Sequence, residues 1–142
     1  MSFDIFLFAI DRNGEAAPFD RAIAERAFEG YATHTDTDEW GLRDSDGDRL
    51  SADISIDGGP NIVCIAINRP PFVDWFWNAM FEIMRQTRTF LMWGSVNDAP
   101  GYCVANPDWK SYLEPQMIED DGPPAIVLCG ADIEAAINAS GM

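Results

Sequence analysis

Residues 43–59 read RDSDGDRLSADISIDGG, and the fold turns on whether the aspartates at its start hold a cation or make a turn. An EF-hand loop needs oxygen ligands at positions 1, 3 and 5, glycine at 6, an apolar residue at 8 and a bidentate acid at 12. With Gly47 at position 6, Asp44 and Asp46 fall at 3 and 5, but Leu42 stands at 1 and Arg49 at 8. With Asp44 at position 1, Asp46 and Asp48 fit, but Arg49 takes the place of the glycine. Neither register makes a calcium loop, and no metal site is expected here.

A hairpin accounts for more of these residues. Asp44-Ser45-Asp46-Gly47 suits a type I turn with Gly47 in the left-handed region, closing a short loop with a bulge. That predicts strands over 37–43 and 49–57, with Leu42 opposite Leu50 and Trp40 opposite Ala52. Ile54 and Ile56 share their face; Glu39, Gly41, Arg43, Ser51, Asp53, Ser55 and Asp57 take the other. The same register sets Glu39 opposite Asp53 and Arg43 opposite Arg49, like charges that disfavour pairing by about a few tenths of a kcal/mol. Glu39, Asp53 and Asp57 would then form an acidic strip with little internal compensation. It is either a solvated sheet face or a landing surface for a basic partner.

Working outward, residues 3–10 are rich in Phe and Ile and predict a first strand, followed by a turn at DRNGEAAP. Asp20 can cap a helix whose apolar stripe is Ile23, Ala24, Ala27, Phe28 and Tyr31, ending near Gly30. NIVCIAI (61–67) is apolar on both parities, as in a central strand covered on both faces. A second helix is predicted over 72–87. Phe72, Val73, Phe76, Met80, Ile83 and Met84 share one face, with Trp77 and Phe81 at its edge. Trp75 falls on the polar side with Asn78 and Glu82. It either covers a neighbouring loop or stands as an exposed anchor for a partner.

Strands follow at 89–93 and 102–104. Asn106-Pro107-Asp108 starts a short helix that ends before Pro115. EDDGPP (119–124) reads as loop, 125–129 as the last strand and 131–139 as a C-terminal helix. The expectation is one α+β domain over 1–142, a mixed, mainly antiparallel sheet with about four helices. The opening β-α-β-β is compatible with a ferredoxin-like core.

Composition bounds the function. The chain has 142 residues, 47% of them apolar, enough for one core without disulfides or metals. Its formal charge is −15, and Lys110 is its only lysine. Such a field repels nucleic acid and anionic lipid and draws in cations and basic proteins. A GC-rich genome or a salt-adapted host would also produce this acidity. MSFDIFLFAID lacks a positive n-region and Asp4 interrupts it, so no signal peptide is expected, and no run is long enough to span a membrane. Cys64, Cys103 and Cys129 lie in strand-like segments without a C-x-x-C pair and read as buried, inert, reduced thiols of a cytoplasmic protein.

His34 is the only histidine, in YATHTDTDEW. With no G-x-S-x-G, phosphate-binding glycine loop or H-E-x-x-H, nothing predicts a catalytic residue or a cofactor. The opening MSFDIFLF, the strand-loop-helix after it and the acidic α+β character resemble short uncharacterised bacterial proteins, some of them similar to immunity proteins of polymorphic toxin systems. That resemblance implies a cytoplasmic binder that blocks a toxin, often a basic one. The first expectation is therefore a non-enzymatic protein-binding module using Trp75, Asn78, Glu82, Glu39, Asp53 and Asp57. The alternative is a small-molecule binder or small enzyme with a pocket near His34 or the helix-two aromatics. A third is an oligomeric module with no separate ligand.

Overall fold

A computed structural model describes residues 3–142. Strand β1 (Asp4–Phe8) leads through a turn and a two-residue strand, β2 (Phe19–Asp20), into helix α1 (Arg21–Ala27). Asp20 caps that helix as its position predicts, accepting the Ala22 N–H at 2.9 Å. β3 (Ala32–Thr33), β4 (Glu39–Arg43), β5 (Arg49–Asp57), β6 (Asn61–Ile62) and β7 (Cys64–Asn68) follow. Helix α2 (Asp74–Gln86), β8 (Phe90–Met92), β9 (Tyr102–Val104), α3 (Trp109–Tyr112), α4 (Pro115–Asp121), β10 (Ala125–Ile126) and α5 (Gly130–Ala139) complete the chain.

Eight strands form one sheet in the order β10-β9-β8-β1-β7-β5-β4-β3, while β2 and β6 pair separately. Every neighbour in the large sheet is antiparallel except β9 with β10. Its middle, β8-β1-β7-β5, with α1 between β1 and β5 and α2 between β7 and β8, has the strand order of a ferredoxin-like split βαβ. The β3-β4 pair extends it at one edge and β9-β10 at the other. The fold is α+β, as the element pattern predicts. No helix among the described residues is long and apolar enough to cross a membrane.

Alternation in the strands assigns the two faces. Ile5, Leu7, Ile54, Ile65 and Ile67 are fully buried with Ala24, Phe28, Phe76, Met80 and Ile133, so α1, α2 and α5 cover one face, the inner one. On the outer face a second core joins Phe90, Tyr102 and Val104 to Tyr112 and Leu113. The α3–α4 segment thus covers only the β8–β9 side of that face.

The turn at the opening stretch is the predicted one. The Gly47 N–H donates to the Asp44 carbonyl at 2.8 Å, and Gly47 has φ +84°. Arg43 opposes Arg49 as expected, but the register then shifts by two residues between Gly41 and Arg43. Trp40 faces Ile54, not Ala52, and Glu39 faces Ser55, not Asp53. Because side chains alternate with period two, a two-residue shift keeps every residue on its expected face, and the apolar pattern could not detect it. The shift removes the Glu39–Asp53 opposition: the Ser55 hydroxyl donates to Glu39 Oε2 at 2.8 Å instead.

Further departures are local. The 61–67 run divides at Val63, with Asn61-Ile62 turning aside to pair with β2. Cys64 and Ala66 are only half-buried, because no helix covers β7 on the outer side. Pro115 begins α4 where a loop was expected, since proline fits the first helical position as well as it ends a preceding helix. Helix α2 begins at Asp74 rather than 72, and Trp77, expected at the edge of its apolar face, is buried while Phe72, just before the helix, is 44% exposed. The last strand stops at Ile126, and α5 starts one residue early at Gly130.

Gly130 is where α5 meets α2. A Cβ there would lie 2.4 Å from Asn78 Oδ1 and 2.7 Å from the Trp77 carbonyl carbon. Gly130→Ala is expected to lower stability by about 1–3 kcal/mol through overpacking, read as a lower urea midpoint at unchanged slope.

Candidate functional site

The outer face of β1, β7, β5 and β4 carries no helix, and strand register orders its side chains into rows. Phe8, Cys64 and Asp57 form one row, and Met92, Phe6, Ala66, Ser55 and Glu39 the next. Asp4, Asn68 and Asp53 form a third. The surface is apolar on β1, where the Phe6 and Phe8 rings stack at 6.0 Å, and small on β7. It is acidic on β5 and β4. Phe6 is 36% exposed, although a phenylalanine in a strand is ordinarily buried. Glu39, Asp53 and Asp57 are all exposed here, and none has a cationic partner within 4.0 Å among the described residues.

At the β3-β4-β5 end of this face a shallow hollow of about 230 Å³ brings His34 together with Glu39 and Asp53. Arg43 and Arg49 line it too, so two of the three strip acids share space with two guanidiniums. Compensation is greater here than the sequence reading supposed. His34 sits at φ +60°, in a turn closed by the Thr37 N–H and hydroxyl, both of which donate to its carbonyl. Its imidazole makes no hydrogen bond to a carboxylate among the described residues. The hollow sets carboxylates and guanidiniums side by side around that imidazole. No group of three or more His, Cys, Asp or Glu is placed to hold a metal among the described residues.

Trp75, Asn78 and Glu82 lie on α2, across the sheet from the acidic strip, so the six expected binding residues do not form one surface. Trp75 is half-buried. Its ring stacks on Tyr31 at 4.0 Å and 3°, and its indole N–H donates to Asp44 Oδ1 at 3.2 Å. It therefore clasps the tip of the β4-β5 hairpin to α2 and to the turn between α1 and β3. Asn78 abuts Gly130. Glu82 forms an ion pair with Arg85 at 2.7 Å, and that hydrogen-bonded guanidinium holds its carboxyl below the usual value.

Phe6, Phe8 and Ala66 belong to the open face and were not among the expected residues. Their signal was present: in DIFLF and CIAIN they fall on the parity opposite the buried isoleucines, yet they are apolar. No family model, no curated protein and no solved structure matches the chain.

Two measurements follow from this geometry. Trp75→Phe keeps a ring on Tyr31 and loses the N–H, and should cost about 1 kcal/mol. Trp75→Ala loses both and should cost about 3 kcal/mol; a change under about 0.5 kcal/mol in the urea midpoint would refute the clasp. Burial, and then the Asp57 carboxylate, raise the Cys64 thiol above its ordinary value. Against the expectation of three buried thiols, Cys129 is exposed and only Cys103 is buried, its thiol pushed far up. Iodoacetamide should therefore label Cys129 first, Cys64 slowly and Cys103 only on unfolding. Asp57→Asn removes a charge that opposes the thiolate, so Cys64 labelling near neutral pH should speed up several-fold, read by mass spectrometry of the peptides.

Proposed function

We propose that this chain is a non-enzymatic, cytoplasmic protein-binding module of immunity type, which covers a basic partner with the outer face of its sheet. The observation that carries this is the juxtaposition of an uncovered apolar centre, Phe6, Phe8 and Ala66, with exposed carboxylates at Asp4, Glu39, Asp53 and Asp57. Carboxylates at the margin would steer a cationic surface and set orientation, while desolvated rings in the middle would supply most of the affinity. The −15 charge favours the same encounter and opposes nucleic acid. Trp75 is spent on the hairpin, so the anchoring role expected of it passes to Phe6 and Phe8.

The second reading, a small-molecule site at the His34 hollow, draws support from the two acids and two arginines that converge there. At about 230 Å³ the hollow is smaller than the roughly 300–1,000 Å³ usual for such sites, so the protein-binding reading is preferred.

The test is a partner recovered by affinity capture and then purified. It should have an isoelectric point above about 9, and its association rate should fall about tenfold or more between low and physiological salt. Glu39→Lys with Asp53→Lys and Asp57→Lys should slow association by at least about tenfold, and Phe6→Ser should raise the dissociation rate. An acidic partner, a salt-independent rate, or amide protection confined to α2 would overturn the reading.

A further inference from the structure

A second recognition element lies on the other half of the outer face, where α4 crosses the sheet. Two hollows of about 400 and 420 Å³ flank it and meet at Met92, Asp120 and Asp121, making one elongated groove. Phe8, Phe90 and Met92 of the sheet and Met117 of α4 give the first hollow an apolar floor. Asp11, Glu114, Asp120 and Asp121 rim it, and Asp98 adds a further carboxylate along the second. Among the described residues, no lysine, arginine or histidine lines either hollow.

The acids of α4 stand where folding alone would not put them. Glu119, Asp120 and Asp121 occupy its last turn, the negative pole of the helix, and no basic residue shares that turn. Asp120 accepts one hydrogen bond, from the Gln116 amide at 2.9 Å, and no cation lies within 4.0 Å of these carboxylates among the described residues. Local rules broken without internal compensation, beside an apolar hollow, mark a functional surface. The groove is also preformed. The Tyr102 hydroxyl donates to the Gly122 carbonyl at 2.6 Å, fixing the end of α4 to β9, and Gly122 turns the chain at φ +78°. Burial, and then Asp121, push that phenol up to about 12, so it keeps the proton it donates.

Shape and charge together select the occupant. The two hollows adjoin through Met92, Asp120 and Asp121, so a compact molecule fills one of them, whereas an extended segment can occupy both. Methionines at 92 and 117 can adapt to an apolar side chain between them. The surrounding carboxylates call for cations on either side of it. We infer that α4 and the outer face of β1 and β8 bind an extended protein segment in which an apolar side chain is flanked by lysine or arginine. The groove shares Phe8 with the sheet face but none of its Glu39–Asp57 strip, and this inference does not need the reading given above.

The test uses the whole protein, labelled with ¹³C at its methionine methyls, and three short synthetic peptides: lysine–leucine, lysine–serine and glutamate–leucine. The lysine–leucine peptide should shift the Met92 and Met117 methyls and bind at least about tenfold more tightly than the other two, a difference of about 1.4 kcal/mol. Asp120→Asn with Asp121→Asn should weaken it about fivefold or more while raising the melting temperature, because the helix loses misplaced charge. Glu39→Lys with Asp53→Lys and Asp57→Lys should change it less than about threefold at physiological salt. Equal binding of the lysine–serine peptide, shifts confined to other methyls, or a lowered melting temperature in the asparagine variant would overturn the inference. Binding that follows the strip variant instead would overturn the groove and leave the sheet-face reading standing.

Discussion

Phe76, Met80, Ile83 and Met84 of α2 share one fully buried core with Ile5, Leu7, Ile65 and Ile67 of the two central strands. Burying each such side chain is worth about 1.5–3 kcal/mol, more than any polar contact in the molecule supplies. That contact decides the rest. It assigns the inner face of the sheet, and α1 and α5 must then flank α2 on the same side. Gly130 is consequently needed where α5 approaches the α2 backbone at Trp77 and Asn78. It also leaves the opposite parity of β1 and β7 without a layer of its own, so the apolar residues there face outward.

Polar contacts locate the parts that this core does not reach. The β4-β5 hairpin projects past the central strands, and its tip is held by Asp44, Trp75 and Tyr31. Nearer the sheet, Arg21 is the counterpart, its side chain only 14% exposed. Its guanidinium meets Asp38 at 2.9 Å and Glu25 at 3.4 Å and donates to the carbonyls of Thr35, Thr37 and Gly59. It also lies 5.5 Å from the centre of the Trp40 ring. One cation thus ties the start of α1 to the loop before β4 and the loop after β5, and so positions the edge that bears His34, Glu39 and Asp53.

How much of this was legible depends on whether the deciding force is periodic. The faces of β4 and β5, the cap at Asp20, the turn at Gly47 and the apolar side of α2 all follow from spacing or local turn chemistry. The two-residue register shift left no mark, because it preserves the parity that hydrophobic patterning reports. Pro115 was read as a stop when it is a start, since its ring satisfies both uses. Whether Trp75 covers a loop or stands exposed stayed open on the helical wheel, because its partners, Tyr31 and Asp44, lie far off in sequence and a wheel carries no information about them. The open face at Phe6, Phe8 and Ala66 could have been inferred, but only by asking which helix would cover the second parity of β1. That is a question of topology, which one strand cannot answer.

The distribution of charge bears on what the acidity is for. Where this fold needs an ion pair it builds one: Arg21 with Asp38 and Glu25, and Arg85 with Glu82. Other arginines are turned to backbone oxygens, Arg12 to the carbonyl of Lys110 and Arg43 to that of Gly47. Among the acids left without a cation within 4.0 Å are those along β5 and β4 and at the end of α4, on the outer side of the sheet. A composition bias spreads acids over a surface without regard to what lies beneath them. Here such carboxylates border Phe6 on the open face and Met92 and Met117 in the groove, although Leu128, Val96 and Ile126 are also exposed elsewhere. The proposed basic partner rests on this pairing of partly exposed apolar side chains with acidic margins, at the open strip and at the Phe8–Met117 end of the groove.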